Sequence, residues 1–161
     1  MDNEMSLVKQ ISQIGNFIRA LRIQLRFGDF SRAPLELVRI EVRGEVAECE
    51  WISRPADEWD VEIPRNISEA NSSAQALQDA MTVRELLFSV VPGIKSALVK
   101  VFRKSVSGEL ELIIKGTLTG EPEATPDVAS VAMRAKLLGF QFWQQDGILE
   151  ALRSEECVMN F

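Results

Sequence analysis

The chain has 161 residues, 46% of them hydrophobic and 26% charged, with a formal net charge of −6. This is enough apolar material for one compact domain with its own core, and too much for a disordered chain. With no histidine and only two cysteines, Cys49 and Cys157, set far apart, the chain cannot run Ser-His-Asp or Cys-His catalysis or build a histidine-based metal site, and neither a disulfide scaffold nor a cysteine zinc site is expected. No apolar run approaches the ~18 residues that span a bilayer. The start MDNEMSLVKQ lacks the basic and apolar regions of a secretory signal, so a cytoplasmic location is expected.

Residues 4–27 read as an amphipathic helix. Leu7, Ile11, Ile14, Ile18, Leu21 and Leu25 alternate spacings of four and three, which makes one apolar seam. Gly28 is placed to end it. Such a seam can serve a dimer helix, but over about three heptads it reads better as a helix lying on its own sheet.

Residues 35–52 follow as a hairpin turning at Arg43-Gly44, with Val38, Ile40, Val42, Ala47, Cys49 and Trp51 on one face. That register places Arg39 opposite Glu48. Cys49, alternating with Ala47 and Trp51, reads as a small buried apolar residue. Residues 53–65 carry two prolines and four acids and form the main polar loop.

Asn66 and Glu69 resemble a capping box opening a helix through the apolar positions Leu77, Ala80, Met81, Leu87 and Val90. A second box at Thr82–Glu85 allows a break near Met81, and Pro92-Gly93 ends the segment.

Residues 97–118 form the clearest unit, two alternating runs around the break Ser105–Gly108. Pairing Lys104 with Glu109 puts Val99, Val101, Leu110, Leu112 and Ile114 on one face. Lys100, Phe102, Lys104, Glu109, Glu111 and Lys115 then share the other.

A linker over residues 119–126 leads to a helix capped by Thr125, begun by Pro126 and striped by Val128, Val131, Ala132, Ala135 and Leu138. The turn dipeptide Asp146-Gly147 predicts a third hairpin burying Phe140, Phe142, Leu149 and Ala151. The expected fold is therefore a single α+β domain over residues 1–161. It has the order α-β-β-α-β-β-α-β(β), with a mainly antiparallel sheet of hairpins and helices packed on one face.

Two constellations bear on function. Asp57, Glu58 and Asp60 in the polar loop offer oxygens to a hard cation, though no EF-hand spacing accompanies them; Trp59 among them, with Trp51, Phe102 and Trp143, is a bulky residue of the kind found at interfaces. Lys100, Phe102 and Lys104 form a basic, aromatic-containing patch like those that hold single-stranded nucleic acid. The predicted register sets Glu109 and Glu111 beside this patch and cancels its field, and the acidic total argues against a general nucleic-acid binder. Residues 92–118 nevertheless hold five bases against two acids, whereas residues 46–91 hold nine acids against three bases.

No glycine-rich phosphate loop, dinucleotide fingerprint or kinase motif is present, and no cofactor is implied. The expectation is a non-catalytic protein-interaction or assembly module that self-associates. A carboxylate-based ligand- or divalent-cation-binding protein or enzyme is the alternative, and a weak single-stranded nucleic-acid binder ranks third.

Overall fold

The computed structural model describes residues 2–25, 33–55, 62–120 and 130–152, with side chains from residue 11 onward. The elements are α1 (Asp2–Gln24), β1 (Glu36–Arg43), β2 (Val46–Ile52), α2 (Arg65–Val90), β3 (Ser96–Lys104), β4 (Leu110–Thr119), α3 (Val131–Leu137), β5 (Phe140–Gln141), β6 (Trp143–Gln145) and β7 (Ile148–Glu150). Strands β1 to β5 form one sheet in sequence order, and β6 and β7 form a small second one. Every adjacent pair is antiparallel except β2 and β3, which run parallel because α2 carries the chain back between them. The three helices pack on one another and on the same face of the sheet, as the hairpin-and-helix pattern predicts. None of the described helices is long and apolar enough to cross a membrane.

The helices follow their apolar stripes with three corrections. Among the described side chains of α1 and the residue that follows it, Phe17, Leu21 and Leu25 are buried, while Ile11 on the predicted seam is 61% exposed. Helix α2 is one unbroken helix of 26 residues. It has no break near Met81, because Met81 and its neighbours Ala80 and Val83 are buried and the Thr82 hydroxyl donates back to the Gln78 carbonyl. Its N-cap is Pro64, and Glu69 accepts from Arg65 instead of completing a capping box. Helix α3 begins at Val131, with the Ser130 hydroxyl accepting from the Met133 amide; it does not begin at Pro126. Thr125, Pro126 and Val128, like Gly28, lie outside the described residues.

The hairpins hold their places but shift in register. The first ladder closes at Arg43 opposite Val46, so the turn is Gly44-Glu45 and Arg39 stands opposite Glu50 instead of Glu48. The partner moves by two residues, which preserves the faces. A bulge between Leu37 and Arg39 gives Leu37 the place opposite Trp51 and leaves Val38 exposed.

In the second hairpin Lys104 pairs with Leu110, not Glu109, and beyond a bulge Val101 pairs with Ile114. This one-residue shift changes which face each side chain takes. Leu110 and Leu112 move beside Lys104 and Phe102, Glu111 moves opposite Arg103, and the extra residue Ile113 returns Ile114 to the core.

The third turn is as predicted, with positive φ at both Asp146 and Gly147. Phe140, however, belongs to the main sheet, and Ala151 is exposed while Phe142 and Leu149 are buried.

One buried polar cluster ties the layers together. The Arg54 guanidinium, wholly inaccessible in its side chain, donates to Asp79 Oδ2 at 2.8 Å from α2. It also donates to the Leu25 carbonyl at 2.6 Å, closing the C-terminus of α1, and to the Ala33 carbonyl at 3.4 Å. Gln75 Nε2 donates to Asp79 Oδ1 at 2.8 Å. The carbonyl at the end of α1 is a partial negative charge that the cation neutralises. Replacing Arg54 with Ala removes the cation that faces the buried Asp79 carboxylate and is expected to cost about 3–5 kcal/mol. Arg54→Met with Asp79→Leu should recover only part of that loss, since the Leu25 carbonyl loses its guanidinium donor in both proteins; urea unfolding of the three proteins measures both.

Candidate interaction surface

With the helices on one side, the register assigns every long-strand side chain to the core or to the opposite, open face. Four rows cross the open face. Arg43, Val46, Ser96 and Thr119 form the first, and Glu41, Glu48, Leu98 and Thr117 the second. Arg39, Glu50, Lys100, Lys115 and Gln141 form the third, and Glu36, Ile52, Phe102 and Leu112 the fourth, with Lys104 and Leu110 beyond it. No described element covers these rows. Val46, Leu98 and Leu110 are 37%, 40% and 48% exposed, whereas their core-side neighbours Ala47, Ala97, Val99 and Val101 are almost wholly buried.

Charge on this face divides by strand. On β1 and β2 stand Glu36, Glu41, Glu48 and Glu50 with only Arg39 and Arg43. Arg39 donates to Glu48 at 2.5 Å, to Glu50 at 3.1 Å and to Glu41; Arg43 donates to Glu41 at 2.5 Å. The carboxylates, Glu48 first, raise the Arg39 pKa further, and the two guanidiniums, Arg43 first, hold the Glu41 carboxyl below its ordinary value. Three carboxylates converge here, but a guanidinium occupies the centre a metal would need.

On β3 and β4 stand Lys100, Lys104 and Lys115, with no carboxylate on that half among the described residues. Lys104 reaches Glu36 at 3.7 Å. The Lys100 side chain makes no hydrogen bond or ion pair among the described residues, with Glu50 its neighbour on β2.

The structure therefore brings three sequence-predicted residues, Lys100, Phe102 and Lys104, onto one open surface and takes Glu111 away from it, while Glu50 stands beside Lys100 and Glu36 lies 3.7 Å from Lys104. Glu111 is turned to the helix side, where it pairs with Arg103 at 3.1 Å, and Leu110 and Leu112 take the places expected of Glu109 and Glu111. Trp51 is core and not interface, while Trp143 is exposed. Asp57, Glu58, Trp59 and Asp60 lie outside the described residues. Among the described residues no group of three or more acidic or sulfur side chains is arranged to hold a metal ion. The sequence places Glu48 on this surface opposite Arg39, but does not single out Glu50 and Leu98 as members of it. The adjacent pair Ile113-Ile114, which breaks alternation in the fourth strand, was the available signal for the bulge.

A cleft of about 940 Å³ lies where the carboxyl ends of parallel β2 and β3 meet the start of α2. Its apolar lining includes Leu35, Ile52, Ile113 and Ile148. Its charged side chains are joined in pairs: Arg65 with Glu69 at 2.9 Å, Arg103 with Glu111 at 3.1 Å, and Lys104 with Glu36 at 3.7 Å. Paired in this way, the carboxylates are poorly placed to act as general bases. Comparison with family models, with curated proteins and with solved structures returns no match to this chain.

Cys49 is the free cysteine among the described residues. It is fully buried on β2, and burial, aided by the Glu50 carboxylate, pushes its thiol up to about 12 from an ordinary 9.0. A thiol raised on folding is protonated in the native chain where the unfolded chain has lost its proton. Its contribution to stability is thus complete below pH 9.0 and falls as pH climbs toward 12. In a Cys157→Ser protein, no thiol should react with an aromatic disulfide reagent at pH ~8 in the native state and one should react in urea. Rapid native labelling would mean that Cys49 is accessible.

Proposed function

We propose that this protein is a non-catalytic assembly module that self-associates through the open face of its sheet. The observation that carries this reading is the one-sided layering: α1, α2 and α3 share one face, and the other presents Val46, Leu98 and Leu110 at 37–48% exposure around half-buried Ile52, Phe102 and Leu112. An antiparallel sheet that faces only water alternates polar residues along its outer side, whereas here an apolar row runs across three adjacent strands. A contiguous apolar patch ringed by charge is the ordinary composition of a protein-binding surface.

The chemistry available elsewhere supports binding without catalysis. The chain has no histidine, the cleft carboxylates are paired, and the one described cysteine is buried and protonated. Light scattering coupled to gel filtration at micromolar concentration is expected to give twice the 18.0 kDa chain mass. The double variant Leu98→Gln/Phe102→Gln, with native circular dichroism, should run at the monomer mass. A native chain that remains monomeric at every concentration would overturn self-association.

A further inference from the structure

The geometry points to a particular dimer: two copies stacked open face to open face about a two-fold axis that lies between β2 and β3 and runs parallel to the strands. This rests on the assembly reading above and adds its partner and arrangement. Acid and base occupy different halves of the face. A two-fold in the plane of the sheet and along the strands lays β2 of one copy over β3 of the other, and β1 over β4. The half bearing Glu36, Glu41, Glu48 and Glu50 with Arg39 and Arg43 then meets the half bearing Lys100, Lys104 and Lys115. An in-plane axis across the strands would instead lay acid on acid and lysine on lysine. Only the first is electrostatically complementary, and complementarity is what selects one docking mode among several of similar area.

The same axis keeps the cross-strand rows level. Glu50 of one copy comes over Lys100 of the second, a cation without a partner of its own among the described residues. Ile52 comes over Phe102, so the apolar row of each copy covers that of the other. Aligned sheets pack in this way, about 30° apart and 10 Å face to face, with their inner side chains interdigitating. Four long strands at ~4.8 Å spacing and ~3.3 Å per residue give a footprint of roughly 500 Å². Side-chain relief takes its accessible area toward the ~800 Å² per partner of a standard interface.

The test is reciprocal charge reversal on the full chain, read by sedimentation velocity. Glu50→Lys alone and Lys100→Glu alone should each raise the dimer dissociation constant at least about ten-fold, because each sets like charges against one another twice. An equimolar mixture of the two variants should recover a heterodimer at least as tight as the native dimer. Glu85→Lys, an exposed site on α2, should leave the dimer unchanged and controls for net charge. A native-strength dimer in both single variants would overturn this arrangement while leaving self-association standing, through another surface. Failure of the mixture to associate would overturn it as well. A native chain that is monomeric and binds labelled oligo-dT at low salt, with binding lost in Lys100→Glu, would overturn both readings and assign the face to single-stranded nucleic acid.

Discussion

The arrangement of layers depends on one buried cation. Arg54 follows the end of β2 and is bonded to Asp79 on α2, to the Leu25 carbonyl at the end of α1 and to the Ala33 carbonyl ahead of β1. Apolar contacts between the two long helices are strong but tolerate sliding. A guanidinium with fixed donor directions is satisfied in one relative placement only. Its contribution is therefore to specificity as much as to stability, since isolated buried ion pairs often do no better than well-packed apolar residues. Once α1 and α2 are locked on the same side of the sheet, the opposite side is left to solvent or to another molecule.

The core responds to the same constraint. Ala47, Cys49, Trp51, Ala97, Val99 and Val101 point into the helical layer from parallel β2 and β3. Small residues on neighbouring strands let the helix face approach closely, and Trp51 fills the remaining depth. The β6–β7 hairpin closes the end of this layer, where the Leu149 amide donates to Ser73 on α2 and Arg103 donates to the Leu149 carbonyl. Arg103 faces that carbonyl by the regular alternation of β3, and the β4 bulge turns Glu111 to the helix side beside it. The bulge thus serves both surfaces at once, supplying a polar clasp under the helices and moving two leucines to the open face.

Periodicity made the element order legible, and local turn chemistry made the third turn legible through Asp146-Gly147. Register was harder. A hairpin that slips its turn by one position, as Gly44-Glu45 replaces Arg43-Gly44, keeps its faces and costs the sequence reading little. The bulge in β4 reverses the faces of half a strand, so the acids beside Lys100 and Lys104 are Glu50 and Glu36 of the neighbouring strands and not Glu109 and Glu111. Arg54 was unreadable in a different way. Its partners lie on three other segments, and nothing in the string SRP distinguishes a buried guanidinium from one in a solvated loop.

The edges of the sheet bear on which surface can serve assembly. Strand addition needs a long, regular edge with free amides. One edge, β5, is two residues long; the other, β1, carries the Val38 bulge and alternates Arg39, Glu41 and Arg43 outward. Bulges and alternating charges are the devices by which natural sheets discourage edge pairing. With both edges blunted and one face filled by helices, the open face is the largest regular surface left among the described elements. It is also the surface where exposed apolar side chains collect and where acid and base are separated by strand. On the proposed assembly reading, a sheet with a bulged, charged β1 edge and one apolar face would associate broadside and not edge to edge.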